Sequence, residues 1–170
     1  LKNCINNDLA NNYGNLCQRV LSFINKNCSN KIPKGNKFNE VDNKLMNNLK
    51  DNIPNLIKLM NNQNLNEYTK LVISFSFDAN KYFNDLEPWA VKKKDFARME
   101  TILYTISEQI KNISILLNPI IPHATAQILD IMNINKEEIS INSINKLGLI
   151  NHDKELKKIE ILFKKVENDN

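Results

Sequence analysis

The chain has 170 residues, 42% of them apolar and 25% charged, with a net charge of +4. That length buries the core of one ordinary globular domain, and no apolar run approaches a membrane span. The small positive charge suits a nucleic-acid partner without demanding one.

Cys4, Cys17 and Cys28 cannot all pair with one another, and no C-x-x-C is present. A reducing compartment is therefore expected, with no structural zinc and no disulfide framework. Gly14, Gly35 and Gly148 are too few for a P-loop or a G-x-G-x-x-G turn. The segment from Leu1 to Cys4 has neither an initiator Met nor a signal pattern and reads as the interior of a longer chain. Asn (31), Ile (22) and Lys (21) dominate, whereas Arg occurs twice. All three abundant residues have AT-rich codons, so each arginine invites the question of what its planar guanidinium does that an ammonium does not. The same question applies to the single tryptophan, Trp89.

Ile5, Leu9, Tyr13, Leu16, Val20 and Ile24 recur at three- and four-residue steps and predict a first amphipathic helix. Ser29, Asn30, Pro33 and Gly35 end it. A second stripe, Val41, Leu45, Leu49, Ile53, Leu56 and Met60, contains Pro54, which predicts a kink or break near Asn52–Ile53. The third stripe runs from Tyr68 through Val72, Phe75, Ala79 and Phe83 to Leu86 and stops at Pro88. Leu71–Phe77 is β-prone, but the longer helical period outweighs it. A loop is expected over 87–95. A fourth helix follows through Met99, Leu103, Ile106, Ile110, Ile113 and Leu117. Pro122 suits the first turn of a fifth, ending near Met132. Asn135 with Glu138 predicts a further short helix over 136–144. The expectation is an all-α fold: an antiparallel bundle of four long helices with shorter C-terminal helices. The charged segment 153–170 reads as a solvated tail or as a helix docked on something outside the sequence.

Catalytic constellations are missing. His123 and His152 have no spaced partners for a metal, and His123 sits at a predicted helix N-terminus, a poor place for a cation. Glu137 and Glu138 diverge by about 100° on a helix and read as surface and cap residues. The chain is not expected to be an enzyme by itself.

Three residues stand out together. Asn15 and Arg19, at i and i+4, share one face of the first helix with Ser22 and Lys26. Amide and guanidinium groups one turn apart can read base edges, or can form an ordinary solvated face. Trp89, stiffened by Pro88, is either a platform for an unpaired base or a cap on the bundle core. Lys92, Lys93 and Lys94 are either a solvated run or phosphate contacts. Read together, these features suit single-stranded RNA with splayed, stacked bases.

These residues resemble the C-terminal anticodon-binding domain of the methionyl-tRNA synthetases. The matching pieces are Asn15-Leu16-Cys17-Gln18-Arg19, Ala79-Asn80-Lys81-Tyr82, Glu87-Pro88-Trp89-Ala90-Val91-Lys92-Lys93 and Leu116-Leu117-Asn118-Pro119-Ile120-Ile121-Pro122. The ending Ile161-Leu162-Phe163-Lys164-Lys165-Val166-Glu167 is similar to that family's close. The resemblance covers nearly the whole chain, in the family's order. It implies a helical bundle over 1–152 that grips the CAU anticodon loop of methionine tRNAs. It also implies a 153–170 tail that packs toward the catalytic half.

By the same resemblance, Asn15 and Arg19 contact anticodon bases and Trp89 stacks on the first of them; Lys92, Lys93 and Lys94 are read as RNA backbone contacts from their place beside Trp89, not from the resemblance. The His-x-Gly-His and Lys-Met-Ser-Lys-Ser type motifs are not in this sequence. ATP chemistry is thus expected in the parent enzyme's N-terminal catalytic domain, leaving no cofactor for this piece. No dimerising oligonucleotide-binding module follows, so a monomer is expected, in the cytoplasm. Two rivals remain: the anticodon domain of a sister class I synthetase for isoleucine, valine, leucine or cysteine, and a helical protein-interaction module. The second requires a packed Trp89 and lysines without a common face.

Overall fold

The computed structural model describes residues 9–144 and 148–158. The described residues are helical throughout their core, with no strand among them. A π-helical turn, Leu9–Tyr13, leads into α1 (Gly14–Asn27). The second stripe is broken as its proline requires: α2 (Glu40–Asp51) stops before Asn52, and α3 (Ile53–Asn61) restarts with Pro54 in its first turn. Long helices α4 (Leu65–Leu86) and α6 (Phe96–Leu117) flank α5 (Pro88–Val91), and α7 (Pro122–Ile131) follows.

The chain differs from its sequence pattern in two places. The segment expected to be a loop over 87–95 contains the helical turn α5, closed by Ala90 and Val91 N–H groups donating to the Glu87 carbonyl. The reversal that permits it is at Glu87, whose φ of 46° is left-handed. Pro88 then starts the new turn with no N–H to leave unpaired. The helix expected over 136–144 is replaced by two 3-10 turns, Lys136–Glu138 and Ile141–Ser143. Asn135 Oδ1 does reach the Glu137 N–H at 3.4 Å, but this cap is not followed by an apolar face long enough to propagate.

Helix α6 is the axis of the bundle. It packs against α1, α2, α4, α5 and α7, and from Met99 to Leu117 only Glu100 and Tyr104 escape full burial. Enclosure on all sides leaves its polar residues needing partners inside. Glu108 and Lys111, both buried, pair at 2.6 Å. Ser114 Oγ meets Tyr13 Oη at 2.5 Å, fixing the entry to α1. Cys17 is buried nearby, and burial pushes its thiol well above the usual value.

A buried carboxylate joins three elements. Asp42, at the start of α2, receives both Arg98 guanidinium nitrogens, at 2.6 and 2.9 Å. It also accepts from Tyr82 Oη at 2.5 Å and from the Asn39 N–H at 2.8 Å. Burial alone pushes this carboxyl up, but the hydrogen bonds from Arg98, Tyr82 and Asn39 outweigh it and hold it below the usual carboxylate range. One of the two rare arginines is thus structural: a planar fork is required to satisfy both carboxylate oxygens.

Beyond the two 3-10 turns, residues 156 and 157 are tied back to the bundle. The Leu156 N–H donates to the Asn30 carbonyl at 2.7 Å, and the Lys157 N–H to the Ile131 carbonyl at 3.0 Å. His152 Nδ1 lies 2.8 Å from the Ile32 carbonyl, with its ring against Tyr104. Cys4, Ile5 and the Ile161–Glu167 ending lie outside the described residues.

Candidate nucleic-acid interface

Asn15, Arg19, Phe23 and Asn27 follow one another at four-residue steps and so form a single row down α1. The row faces the end of α4 and the α5 turn. Arg19 Nη2 donates to Asn84 Oδ1 at 2.5 Å, and its guanidinium lies 5.0 Å from the centre of the Phe83 ring. Phe23 meets the same ring edge-on at 6.2 Å. Trp89 meets it at 5.5 Å with the planes 68° apart. Phe83 is 3% exposed, so a core ring carries both the arginine and the indole.

Trp89 itself is 40% exposed. An edge-type contact with Phe83 holds the indole while part of its surface stays open to solvent; base stacking requires an open ring face. Lys92 closes the row from the other side, its Nζ donating to Asn27 Oδ1 at 2.7 Å. Lys93 and Lys94 are exposed on the turn that follows. Asn15 is exposed one turn before Arg19.

Asn80 sets the height of the row. Its amide donates to the Asn12 carbonyl at 3.0 Å and to Asn12 Oδ1 at 2.7 Å, pinning the start of α1 to α4. The structure therefore brings Arg19, Trp89 and Lys92 to one corner, through Phe83 and Asn27. Sequence spacing presented Phe83 only as a core position of the third stripe, so its role as the shared support was not legible there. Ser22 and Lys26 behave differently from Asn15 and Arg19. Gln18 donates to Ser22 at 3.1 Å, and both Ser22 and Lys26 turn to a groove also lined by Leu156 and Lys157.

The corner holds no catalytic arrangement. His123 is exposed in the first turn of α7, 3.3 Å from Gln127 Nε2. Burial, with the Glu100 charge adding to it, pushes the Cys28 thiol up to about 11, so it stays protonated at neutral pH. Among the described residues no group of three or more His, Cys, Asp or Glu side chains could hold a metal ion. No described helix is long and apolar enough to cross a membrane.

Comparison with known proteins supplies the context. A family model described as the anticodon binding domain of methionyl tRNA ligase matches residues 32–170. A methionine–tRNA ligase of Brucella suis is 38% identical over 130 residues, covering 76% of this chain and 25% of the relative. One from Caldanaerobacter subterraneus is 32% identical over 98% of the chain and 26% of its own length. The solved methionyl-tRNA synthetase of Mycobacterium tuberculosis in complex with methionyl-adenylate superposes with a TM-score of 0.86 at 27% identity, covering 94% of this chain and 32% of that one.

The helical bundle and these matches together define a tRNA-ligase anticodon-binding domain. The chain belongs to the family of methionyl-tRNA ligase anticodon-binding domains. It spans about a quarter of the length of the curated relatives it matches. The family-model match begins at Ile32, after α1, whereas the Caldanaerobacter subterraneus relative is matched over 98% of the chain and so takes in the helix carrying Asn15 and Arg19.

Proposed function

We propose that this domain reads the CAU anticodon of methionine tRNAs for a cytoplasmic, monomeric enzyme that joins methionine to tRNA. In this reading Trp89 stacks on the first anticodon base while Asn15 and Arg19 address base edges. Lys92, Lys93 and Lys94 contact the backbone. The partners are the tRNA and the enzyme's own N-terminal catalytic domain, where ATP and methionine react; this piece needs no cofactor.

The observation that carries the reading is the half-exposed Trp89 indole braced on Phe83 with Arg19 across the same ring. A packed tryptophan, which a protein-interaction module requires, would have no free face. Arg19 commits one nitrogen to Asn84 and is thereby held in place, with the rest of its fork available to a base. Pre-orientation of this kind reduces the ordering cost of binding.

The test is a titration with an anticodon stem-loop carrying CAU and with one altered at its first anticodon base, following Trp89 fluorescence. Quenching by the CAU loop alone is expected. Equal quenching by both loops refutes methionine-anticodon reading, and no response to either refutes the RNA role. Trp89→Ala is expected to cost about 1–3 kcal/mol of loop binding with the fold intact. Arg19→Lys is expected to weaken binding as well, because an ammonium has no planar fork.

A further inference from the structure

The Trp89 corner does not end at Lys92. Asn27, which accepts the Lys92 hydrogen bond, also lines a groove of about 450 Å³ between the α1–α2 connection and the start of α6. Three exposed side chains of that groove stand out. Phe96, on its rim, is the most exposed of the large apolar side chains among the described residues, at 52%. Lys31 and Lys34, both exposed, stand on the opposite connection. An aromatic ring at the first position of a long helix contributes little to the core while it faces water.

The groove shares Asn27 with the Trp89 corner. Between Trp89 and Phe96 the chain is a tight turn, with Lys92, Lys93, Lys94 and Asp95 N–H groups all donating to carbonyls of residues 88–91. The lysines of that turn lie between the two aromatics in sequence. Exposed ring, cation, exposed ring is the order in which a single strand is held, with bases on the rings and phosphates on the cations. The groove also has a chemical polarity. Half-buried Glu100 and exposed Asp153 line it. These carboxylates repel phosphates and accept from base amino groups.

We propose that this groove is a second nucleotide subsite, in which Phe96 stacks on a base flanking the anticodon triplet and Lys31 and Lys34 hold the adjoining phosphates. The base carries an exocyclic amino group, since the acceptors Glu100 and Asp153 face it; uridine is disfavoured. The proposal rests on the reading of the Trp89 corner as the anticodon site.

The test uses this chain and a dye-labelled CAU stem-loop, with binding followed by anisotropy. The loop is made unaltered and with an abasic residue at each of the two nucleotides flanking the triplet. Phe96→Ala is expected to weaken binding of the unaltered loop about five- to a hundredfold. One of the abasic loops is expected to lose a similar factor, and the protein and RNA changes combined are expected to cost no more than either alone. Phe96→Leu, which keeps an apolar cover but no ring face, is expected to behave like the alanine variant. Unchanged circular dichroism melting shows that the fold is kept.

Three outcomes overturn the subsite. Phe96→Ala with wild-type binding, while Trp89→Ala is impaired, removes the subsite and leaves the anticodon reading standing. Losses that add for both abasic loops assign Phe96 an indirect effect. Wild-type binding by both the Phe96 and the Trp89 variants, or no binding by the unchanged chain, removes the anticodon reading as well.

Discussion

Replacing Arg98 by alanine isolates the buried Asp42 carboxylate. Asp42 is 0% exposed and holds Arg98 through two charge-assisted hydrogen bonds, while the Arg98 side chain is 17% exposed. In the variant Tyr82 and the Asn39 N–H still donate, but the guanidinium counter-charge at the carboxylate is gone. Truncating one partner of a buried pair costs about 3–5 kcal/mol, chiefly because the other charge is stranded. Against a total stability of order 5–15 kcal/mol the variant is strongly weakened but still foldable. With a urea slope of about 2 kcal/mol per molar, the midpoint drops by roughly 2 M.

The pH dependence supplies an independent check on the cause. In the parent, Asp42 titrates below its unfolded value of about 3.9, so its contribution is complete above that pH and is lost as pH falls through the lower folded value. In the variant, burial dominates and the folded value rises above about 3.9. Its penalty is then present at neutral pH and is relieved as pH falls toward 4. The two stabilities are therefore expected to converge between pH 7 and pH 4, read by urea unfolding at each pH. A loss under about 1 kcal/mol at pH 7, or a gap that does not narrow, refutes the role given to Asp42.

Gly35→Ala is expected to destabilise by about 1–3 kcal/mol, read as a lower melting temperature. Its added methyl would stand 2.5 Å from Tyr104 Cδ1 and 2.7 Å from Phe38 Cζ, and a wild-type melting temperature would show that these two rings yield freely. Changing Lys92, Lys93 and Lys94 to glutamine is expected to flatten the salt dependence of loop binding by about 0.7 log unit for each phosphate no longer neutralised. An unchanged slope places those lysines outside the RNA path.

Proline and helical periodicity made the bundle legible. Pro54 marked the break that falls at Asn52, Pro88 the end of α4, and Pro122 the first turn of α7. These are local effects, decided by one residue's dihedral and missing donor. The turn at α5 was not legible, because it depends on Glu87 accepting a left-handed backbone that its side chain disfavours. The Asn135–Glu138 pattern misled because a cap signal cannot propagate a helix that lacks a face to bury.

The corner proposed as the interface was half readable. Asn15 and Arg19 were singled out by helical spacing, and Trp89 by its rarity beside a proline; the structure places Arg19 and Trp89 against one ring, and their contact with RNA stays a proposal. The ring that joins Arg19 to Trp89, Phe83, lies 64 residues from one and six from the other, and nothing local ties them. Arg98 was conspicuous because arginine is so scarce here. Its partner Asp42, 56 residues away, left only a weak trace in the Asn39-to-Asp42 spacing of a helix cap. Phe96, Lys31 and Lys34 carried no pattern at all, since their interest arises only where two connections meet.

The sheathing of α6 has a consequence for how the domain responds to a ligand. A helix enclosed on every side has no partial opening that exposes its amides, so they exchange with solvent only when the whole bundle comes apart. The α5 turn is joined to the N-terminal end of that helix through residues 92–95. RNA bound at the turn, as proposed, is therefore expected to add protection locally, among residues that exchange through small fluctuations. The slowest amides of α6 are slowed only to the extent that binding stabilises the entire domain. The ratio of these two effects separates a ligand that merely quiets a surface turn from one whose binding energy reaches the global folding equilibrium.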